Sequence, residues 1–245
     1  MPQKTCIIIP CYNEELRLPE NEIIQFLKQA DSIHLCFTND GSTDNTARVL
    51  QGIKVQFPDT VSIIDLKINS GKAEAVRKSM VELSGQNKFD FIGYFDADLA
   101  TPLSQVNLLL DGLIKKQSAI LVMGSRVKRL GSFIIRKPMR HYLGRIFATC
   151  VSIVLNIPVY DSQCGAKIFQ AYAIKDIFKE PFISKWIFDV EVLMRIKKLY
   201  GRENINQYVL EVPLEEWQEI GNSKIGLNGF IKAPAELMKI YFKYK

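Results

Sequence analysis

The sequence is short of everything that would staple a fold through sulfur or zinc. Its five cysteines (Cys6, Cys11, Cys36, Cys150 and Cys164) are odd in number, and none forms a CxxC pair among the 245 residues. A disulfide framework and a zinc site are thereby excluded as the basis of the fold, and a reducing cytoplasm suits the chain best. Long hydrophobic runs are missing too. No stretch of about 18 to 20 apolar residues occurs, and the five-residue apolar stretch after MPQKT is too short for the core of a signal peptide. The chain is therefore expected not to span a membrane by itself. GxGxxG, GxxxxGK followed by Ser or Thr, and HExxH are all absent, so dinucleotide, P-loop and metalloprotease chemistry lack their loops.

One segment lacks charge of one sign. Between Asp111 and Asp161 there is no Asp or Glu, while Lys115, Lys116, Arg126, Lys128, Arg129, Arg136, Lys137, Arg140 and Arg145 make nine cations. Of 32 Lys and Arg these nine carry the whole excess, because the remainder, set against 26 Asp and Glu, is slightly acidic. Such a block contacts phosphate, on nucleic acid or on lipid headgroups, or else is simply a solvated basic surface. Behind it, Ile146 to Ile157 reads IFATCVSIVLNI, a mostly apolar helix too short to span. Basic residues leading into it suit a helix lying at a membrane interface, with a buried core helix as the alternative.

What is present is ordinary in amount and regular in spacing. The apolar fraction of 47% and charged fraction of 24% belong to a soluble globular protein, with no repeat or low-complexity tract. Apolar runs begin at Thr5, His34, Val61, Asp90 and Ala119, separated by 29, 27, 29 and 29 residues, each gap holding a helical pattern. That is the rhythm of βα units, and runs apolar on consecutive residues predict strands buried on both faces of a mostly parallel sheet flanked by helices. The helix after the second run is predicted to start at Ser42 or Thr43. The one after the fourth is predicted near Thr101, with Pro102 in its first turn. Further on, the pattern predicts a strand or turn at CGAKIFQ, a helix from Phe188 to Tyr200, a strand at QYVLEVP and a charged C-terminal helix. One domain is expected over 1–245.

The runs end in PCYNEE, NDGSTDNT, NSGK, DADLATP and GSR, and in open parallel sheets ligands lie beyond these carboxyl ends. Asp40, Asp96 and Asp98 fall there. Three carboxylates so placed repel one another unless a cation or hydrogen-bond donors balance them. A divalent metal holding a diphosphate would do so, although a lone DxD string could equally be a strand-end turn.

In this order, IIIPCYNEE, NDGSTDNT, NSGKAEAVR and FDADLATP resemble the inverting nucleotide-sugar glycosyltransferases of family 2, with their Rossmann-like A fold (GT-A). DSQCGAKIF, WIFDVEVL and EVPLEEWQEIGNSKIG are similar to the polyprenyl-phosphate sugar synthases within that family, of the dolichyl-phosphate β-glucosyltransferase type. The resemblance covers roughly Thr5 to Gly226. It implies a nucleotide-sugar-binding half over 1–125, and an acceptor-binding half over 126–245 containing the interfacial segment 126–157.

Carried over residue by residue, Pro10, Tyr12 and Glu14 would line the nucleoside pocket, Asp40 would read the base edge, and Lys72 would approach nucleotide or phosphate. Asp96 would contact the nucleotide-sugar, and Asp98 would bind Mg²⁺ or Mn²⁺ with Asp96 and Gln163 beside it. Lys224 would be a second cation at the leaving diphosphate. Arg126, Arg136 and Arg140 would receive a polyprenyl (dolichyl or undecaprenyl) phosphate. Mannosyl relatives commonly carry Gln where this chain has Ala100, which favours glucose.

The implied reaction moves a hexose, glucose from UDP-glucose, onto the lipid phosphate, with Asp98, Asp189 and Arg126 in catalytic roles. If the acceptor were instead a sugar hydroxyl of an envelope polysaccharide, Asp189 or Glu191 would serve as base, unless Asp189 pairs with Lys167 or an arginine. A third reading, a module binding nucleic acid or anionic membrane without catalysis, leaves the acidic loops without purpose; nucleic acid is not expected as a partner. The resemblance also implies a peripheral enzyme at an anionic membrane surface, reached by the apolar helix, by a membrane-protein partner or by homo-oligomerisation.

Overall fold

Runs of Ile, Cys, Phe and Val on consecutive positions can be buried only between two layers, and the structure places them so. The computed structural model describes residues 3–30, 32–220 and 227–245, and for residues 140 and 227–232 the backbone alone. The five expected strands and the four helices between them are β1 (Thr5–Cys11), α1 (Glu20–Leu27), β2 (Ile33–Asp40), α2 (Thr46–Gln56), β3 (Val61–Leu66), α3 (Lys72–Gly85), β4 (Phe91–Phe95), α4 (Gln105–Lys115) and β5 (Leu121–Ser125). After them come β6 (Phe133–Ile135), α5 (Pro138–Leu155), β7 (Ala166–Gln170), α6 (Ala171–Phe178), α7 (Phe188–Tyr200), α8 (Ile205–Tyr208), β8 (Val209–Pro213), β9 (Glu216–Gln218) and α9 (Leu227–Tyr244).

The main sheet runs β3-β2-β1-β4-β7-β5-β8, parallel except for β7, which pairs antiparallel with both β4 and β5. Successive side chains of β1 enter opposite cores. Cys6 and Ile8 pack with Val76 of α3, Phe178 of α6 and Phe188 of α7. Ile7 and Ile9 pack with Ile23 of α1, Leu50 of α2 and Leu109 of α4. Each such side chain contributes about 2 kcal/mol on burial. Both cores draw on residues before and after 126, so the two halves read from the sequence share one interior.

The chain leaves β1 towards β2 on one side and β4 on the other, which makes the β1–β4 boundary the switch point of the sheet. The loops after β1, β2 and β4 open at that place.

Two helices begin later than predicted. α2 starts at Thr46, because Ser42 to Asn45 are stitched to the loop after β1: Ser42 Oγ accepts from Asn13 N at 3.1 Å and Asp44 from Glu15 N at 3.2 Å. α4 starts at Gln105, because the Ala100 carbonyl accepts from Gln218 N at 2.9 Å instead of from a helical N–H, and Leu99 sits at φ +47°. α5 is longer than the apolar run that signalled it. It begins with Pro138 in its first turn and ends at Asn156 in the left-handed region, φ +50°. The small parallel sheet β6–β9 was not anticipated; it pins the basic segment to the stretch after β8.

Candidate active site

The loops at the switch point enclose a cleft of about 630 Å³. On one side are Pro10, Tyr12 and Glu14 from the end of β1, and Asp40 from the end of β2. The Tyr12 ring is partly exposed, whereas Glu14 is buried, its backbone N–H donating to Thr46 Oγ1 at 2.8 Å. Asp40 is buried and accepts three hydrogen bonds: from Ser70 N at 2.9 Å, from Ser70 Oγ at 3.1 Å and from Gly71 N at 2.8 Å. The carboxylate at the end of β2 therefore holds the loop that starts α3 and presents Lys72.

Lys72 is ion-paired with Asp96, and both side chains remain open to the cleft, 37% and 38% exposed. Burial works against the lysine's charge, but Asp96 and then Asp189 outweigh it and hold the ammonium above its usual range. Asp98 is different. Burial, and then Asp96 beside it, raise its carboxyl above the ordinary value, and the N–H of Ala100, which donates to Oδ1 at 3.1 Å, offsets this only in part. The pair is thus short of positive charge on the Asp98 side.

Opposite Asp96 lies Gly165, where a Cβ would stand 2.0 Å from Asp96 Oδ2. No residue other than glycine leaves room for the carboxylate there.

Beneath the cleft is a buried charge network. Lys167 is fully buried; it is ion-paired with Asp189 Oδ1 at 2.8 Å and donates to Cys164 O at 2.6 Å and Ser162 O at 3.0 Å. The Tyr94 hydroxyl donates to the same Asp189 oxygen. Asp189 borders the cleft, but of the two roles weighed from the sequence, the structure forms the pair with Lys167. Glu191, the other carboxylate considered as a base, lies off the cleft with Arg195, Tyr244 and Ile183 N.

The far wall is cationic. Arg126 makes a bidentate pair with Asp161, Nε to Oδ2 at 2.6 Å and Nη2 to Oδ1 at 2.7 Å, and its guanidinium lies 5.3 Å from the Trp217 ring centre. Burial would raise the Asp161 carboxyl, but Arg126 prevails and brings it down to about 2. Arg136 packs on α5 at Gly144, where a Cβ would come 2.4 Å from its Nη2. Arg145 covers the Tyr160 ring at 3.6 Å and donates to Tyr160 O at 2.8 Å.

Of the site residues read from the sequence, Pro10, Tyr12, Glu14, Asp40, Lys72, Asp96, Asp98, Arg126, Arg136, Gln163 and Asp189 all border this one cleft. Lys224 lies outside the described residues, as does the side chain of Arg140. The sequence named Arg145 only as one of the nine cations of the basic segment, and it gave no role to Asp161, Gly165 or Trp217, although these three stand within DSQCG and EEWQEIG. Gln163 Nε2 and Ser162 Oγ are buried without a hydrogen-bond partner among the described residues, which leaves room for a ligand to complete them.

A family model described as glycosyl transferase family 2 matches residues 6–178. The chain belongs to that family. Among curated relatives of this family 2 glycosyltransferase, the dolichyl-phosphate beta-glucosyltransferase of Saccharomyces cerevisiae is 33% identical, over 97% of this chain and 74% of the yeast protein. That of Dictyostelium discoideum is 31% identical, over 97% and 74%. The glucosyl-3-phosphoglycerate synthase of Mycobacterium tuberculosis, solved in complex with UDP, aligns over 98% of this chain and 81% of that one with a TM-score of 0.69. At 16% identity this last likeness is one of fold, and it is the A fold that the strand-end motifs led us to expect.

Proposed function

We propose that this family 2 glycosyltransferase moves glucose, with inversion, from UDP-glucose to a polyprenyl phosphate. One observation carries the reading: a single cleft sets a carboxylate pair short of positive charge, Asp96 and Asp98, against a wall of arginines, Arg126, Arg136 and Arg145. A nucleotide diphosphate needs the first and an anionic acceptor needs the second. The names of the yeast and Dictyostelium relatives support both glucose and the lipid phosphate.

On this reading Tyr12 offers an aromatic face to the base, Glu14 accepts from ribose hydroxyls, and Asp40 accepts from the N–H of uracil while tied to Ser70 and Gly71. A divalent cation fits the acidic side. Asp98 is raised by burial and by Asp96, and Gln163 on the same cleft is buried with its amide nitrogen unpartnered among the described residues. Those residues hold no group of three or more His, Cys, Asp and Glu, so the protein would supply only part of the ion's shell. Mg²⁺ and Mn²⁺ suit such a place, taking one or two carboxylates and completing their shell with phosphate oxygens. Asp98 would hold the ion, with Asp96 and the Gln163 amide beside it. When bound, it neutralises charge on the leaving diphosphate. Lys72 contributes a fixed ammonium to the same end, aligned by Asp96 and by the start of α3.

The acceptor brings its own nucleophile. A phosphate monoester has its second pKa near about 6, so at neutral pH it is already largely a dianion and no base is required. A phosphate oxygen bonds to the anomeric carbon as the bond to the UDP oxygen breaks, and the electron pair leaves on UDP. Asp189, held by Lys167 and Tyr94, then works by position: after Asp96 and before Asp98, it is one of three carboxylates whose charge favours the Lys72 ammonium. Arg126 is oriented by Asp161 and Trp217, with Arg136 and Arg145 beside it on the wall.

On this reading residues before 126 bind donor with help from Gln163 and Asp189, the segment after 126 binds acceptor, and the chain is peripheral to an anionic, cytoplasmic membrane face. No helix among the described residues is long and apolar enough to cross a membrane. Product analysis tests the proposal. Incubation with UDP-glucose, divalent metal and undecaprenyl phosphate should yield a β-linked glucosyl phosphate by NMR; an α-linked product, or glucose on a sugar hydroxyl only, would refute it.

A further inference from the structure

The arginine wall has to be aimed, and its aim depends on a stretch with no regular structure of its own. Between the end of α5 at Leu155 and the start of β7 at Ala166 the chain forms neither helix nor strand, so the backbone groups there need partners from elsewhere. Two successive N–H groups of this stretch find theirs on one side chain. Glu211 of β8 accepts from Tyr160 N at 2.8 Å through Oε2 and from Asp161 N at 2.5 Å through Oε1. Glu211 is the only charged residue of β8, and the strand fixes it in turn by pairing parallel with β5, Glu211 in register with Met123.

The two residues so held are those that set the arginines. Asp161 accepts from the backbone N–H of Arg126 at 3.1 Å as well as from its guanidinium in the bidentate pair. Tyr160 supplies Arg145 with both its ring and its carbonyl. The chain after β8 reaches Arg126 a second way: Leu214 N donates to Ser125 O at 2.9 Å, and Trp217 brings its ring to the guanidinium. Tyr160, Asp161, Arg126 and Arg145 all border the cleft, whereas Glu211 is not among the residues that line it. Its carboxylate therefore acts on a bound acceptor through these neighbours, and not as a base or a ligand.

We infer that Glu211 is a positioning residue for the acceptor: by holding the corner at 160–161 it aims Arg126 and Arg145 together at the acceptor's phosphate. The inference rests on the reading above, in which these arginines receive a polyprenyl phosphate. One carboxylate that spans two successive N–H groups fixes the corner in direction as well as in place, and a shift of the corner carries both guanidiniums with it. An amide at this position offers one oxygen and sets its own N–H against the other backbone N–H.

The test separates aim from folding. Glu211→Gln keeps the size of the side chain, and with undecaprenyl phosphate in detergent micelles it should raise the acceptor KM about tenfold, part of the roughly hundredfold that a misplacement on the order of 1 Å can cost. At saturating acceptor kcat should fall much less, and UDP binding measured by calorimetry should match wild type. Glu211→Asp, which keeps both acceptor oxygens on a shorter stem, should fall between wild type and Glu211→Gln. Because Glu211 works through Asp161, a double variant with Asp161→Asn should lose less in acceptor KM than the product of the two single losses. With wild-type transfer intact, an unchanged acceptor KM in Glu211→Gln, an equal loss of UDP affinity, or losses that multiply in full would overturn the positioning role alone. Wild-type protein that glucosylates no polyprenyl phosphate would instead overturn the function on which it rests.

Discussion

At the scale of single residues, charge and space decide what the cleft can do. The Asp98 carboxyl lies above its ordinary range, so the folded state holds that proton more tightly than the unfolded chain, and stability falls as pH rises out of the ordinary carboxyl range. Asp98→Asn should therefore raise Tm of the metal-free protein at neutral pH while removing any stabilisation by Mn²⁺; thermal scans with and without metal give both readings. Asp161 has the opposite sign. Its carboxyl is brought from 3.8 to about 2, so the pair with Arg126 stabilises fully above about pH 4 and is lost as pH falls towards 2. The shift corresponds to about 2 kcal/mol. Acid denaturation of Asp161→Asn should lack that component between pH 4 and 2. Gly165→Ala puts a methyl where the Asp96 carboxylate lies. A displacement on the order of 1 Å can cost about a hundredfold in rate, and kcat/KM should fall by at least that much with the far-UV spectrum preserved.

At the scale of elements, the buried Lys167–Asp189–Tyr94 network ties β7, α7 and β4 together under the site. Lys167→Met strands a buried carboxylate and should cost about 3–5 kcal/mol in denaturant titration. Asp189→Asn separates position from base catalysis: the account expects reduced kcat with an unchanged acid limb of the pH profile, whereas a general base would take that limb with it.

Much of this layer was legible in the sequence. The 27 to 29 residue rhythm located β1 to β5 because each strand is buried on both faces, and FDVEVLMRIKKLY located α7 because its apolar positions follow helical spacing. The place of β7 between β4 and β5 was not legible, since CGAKIFQ declares a strand but not its neighbours or direction. The late starts of α2 and α4 arise from partners over 25 residues away, such as Gln218 N on Ala100 O. The acidic residues of the site could be found because they follow strands directly. Gly165 and Trp217 could not, and Arg145 was visible only as one cation of the basic segment, because what they do depends on which other group approaches them.

At the scale of the molecule, the two halves divide by charge. Carboxylates gather at the carboxyl ends of β2 and β4, and the acid-free stretch supplies the arginine wall and the exposed apolar face of α5. A protein built this way should bind vesicles containing anionic lipid and release them as salt rises, since surface charge attraction fades over a Debye length of about 10 Å at 0.1 M. Flotation with neutral and anionic vesicles checks this, and Ile146→Glu should weaken binding to both.

The central claim is that the acidic end and the arginine wall serve one transfer between a nucleotide-sugar and a lipid phosphate. It is tested most directly by measuring UDP release from UDP-glucose by the purified protein in four conditions, with and without divalent metal and with and without a polyprenyl phosphate. The account predicts release only when both are present, and its loss in Asp98→Ala. Equal release without the lipid phosphate, or turnover with an oligosaccharide acceptor and none with the lipid, would contradict it.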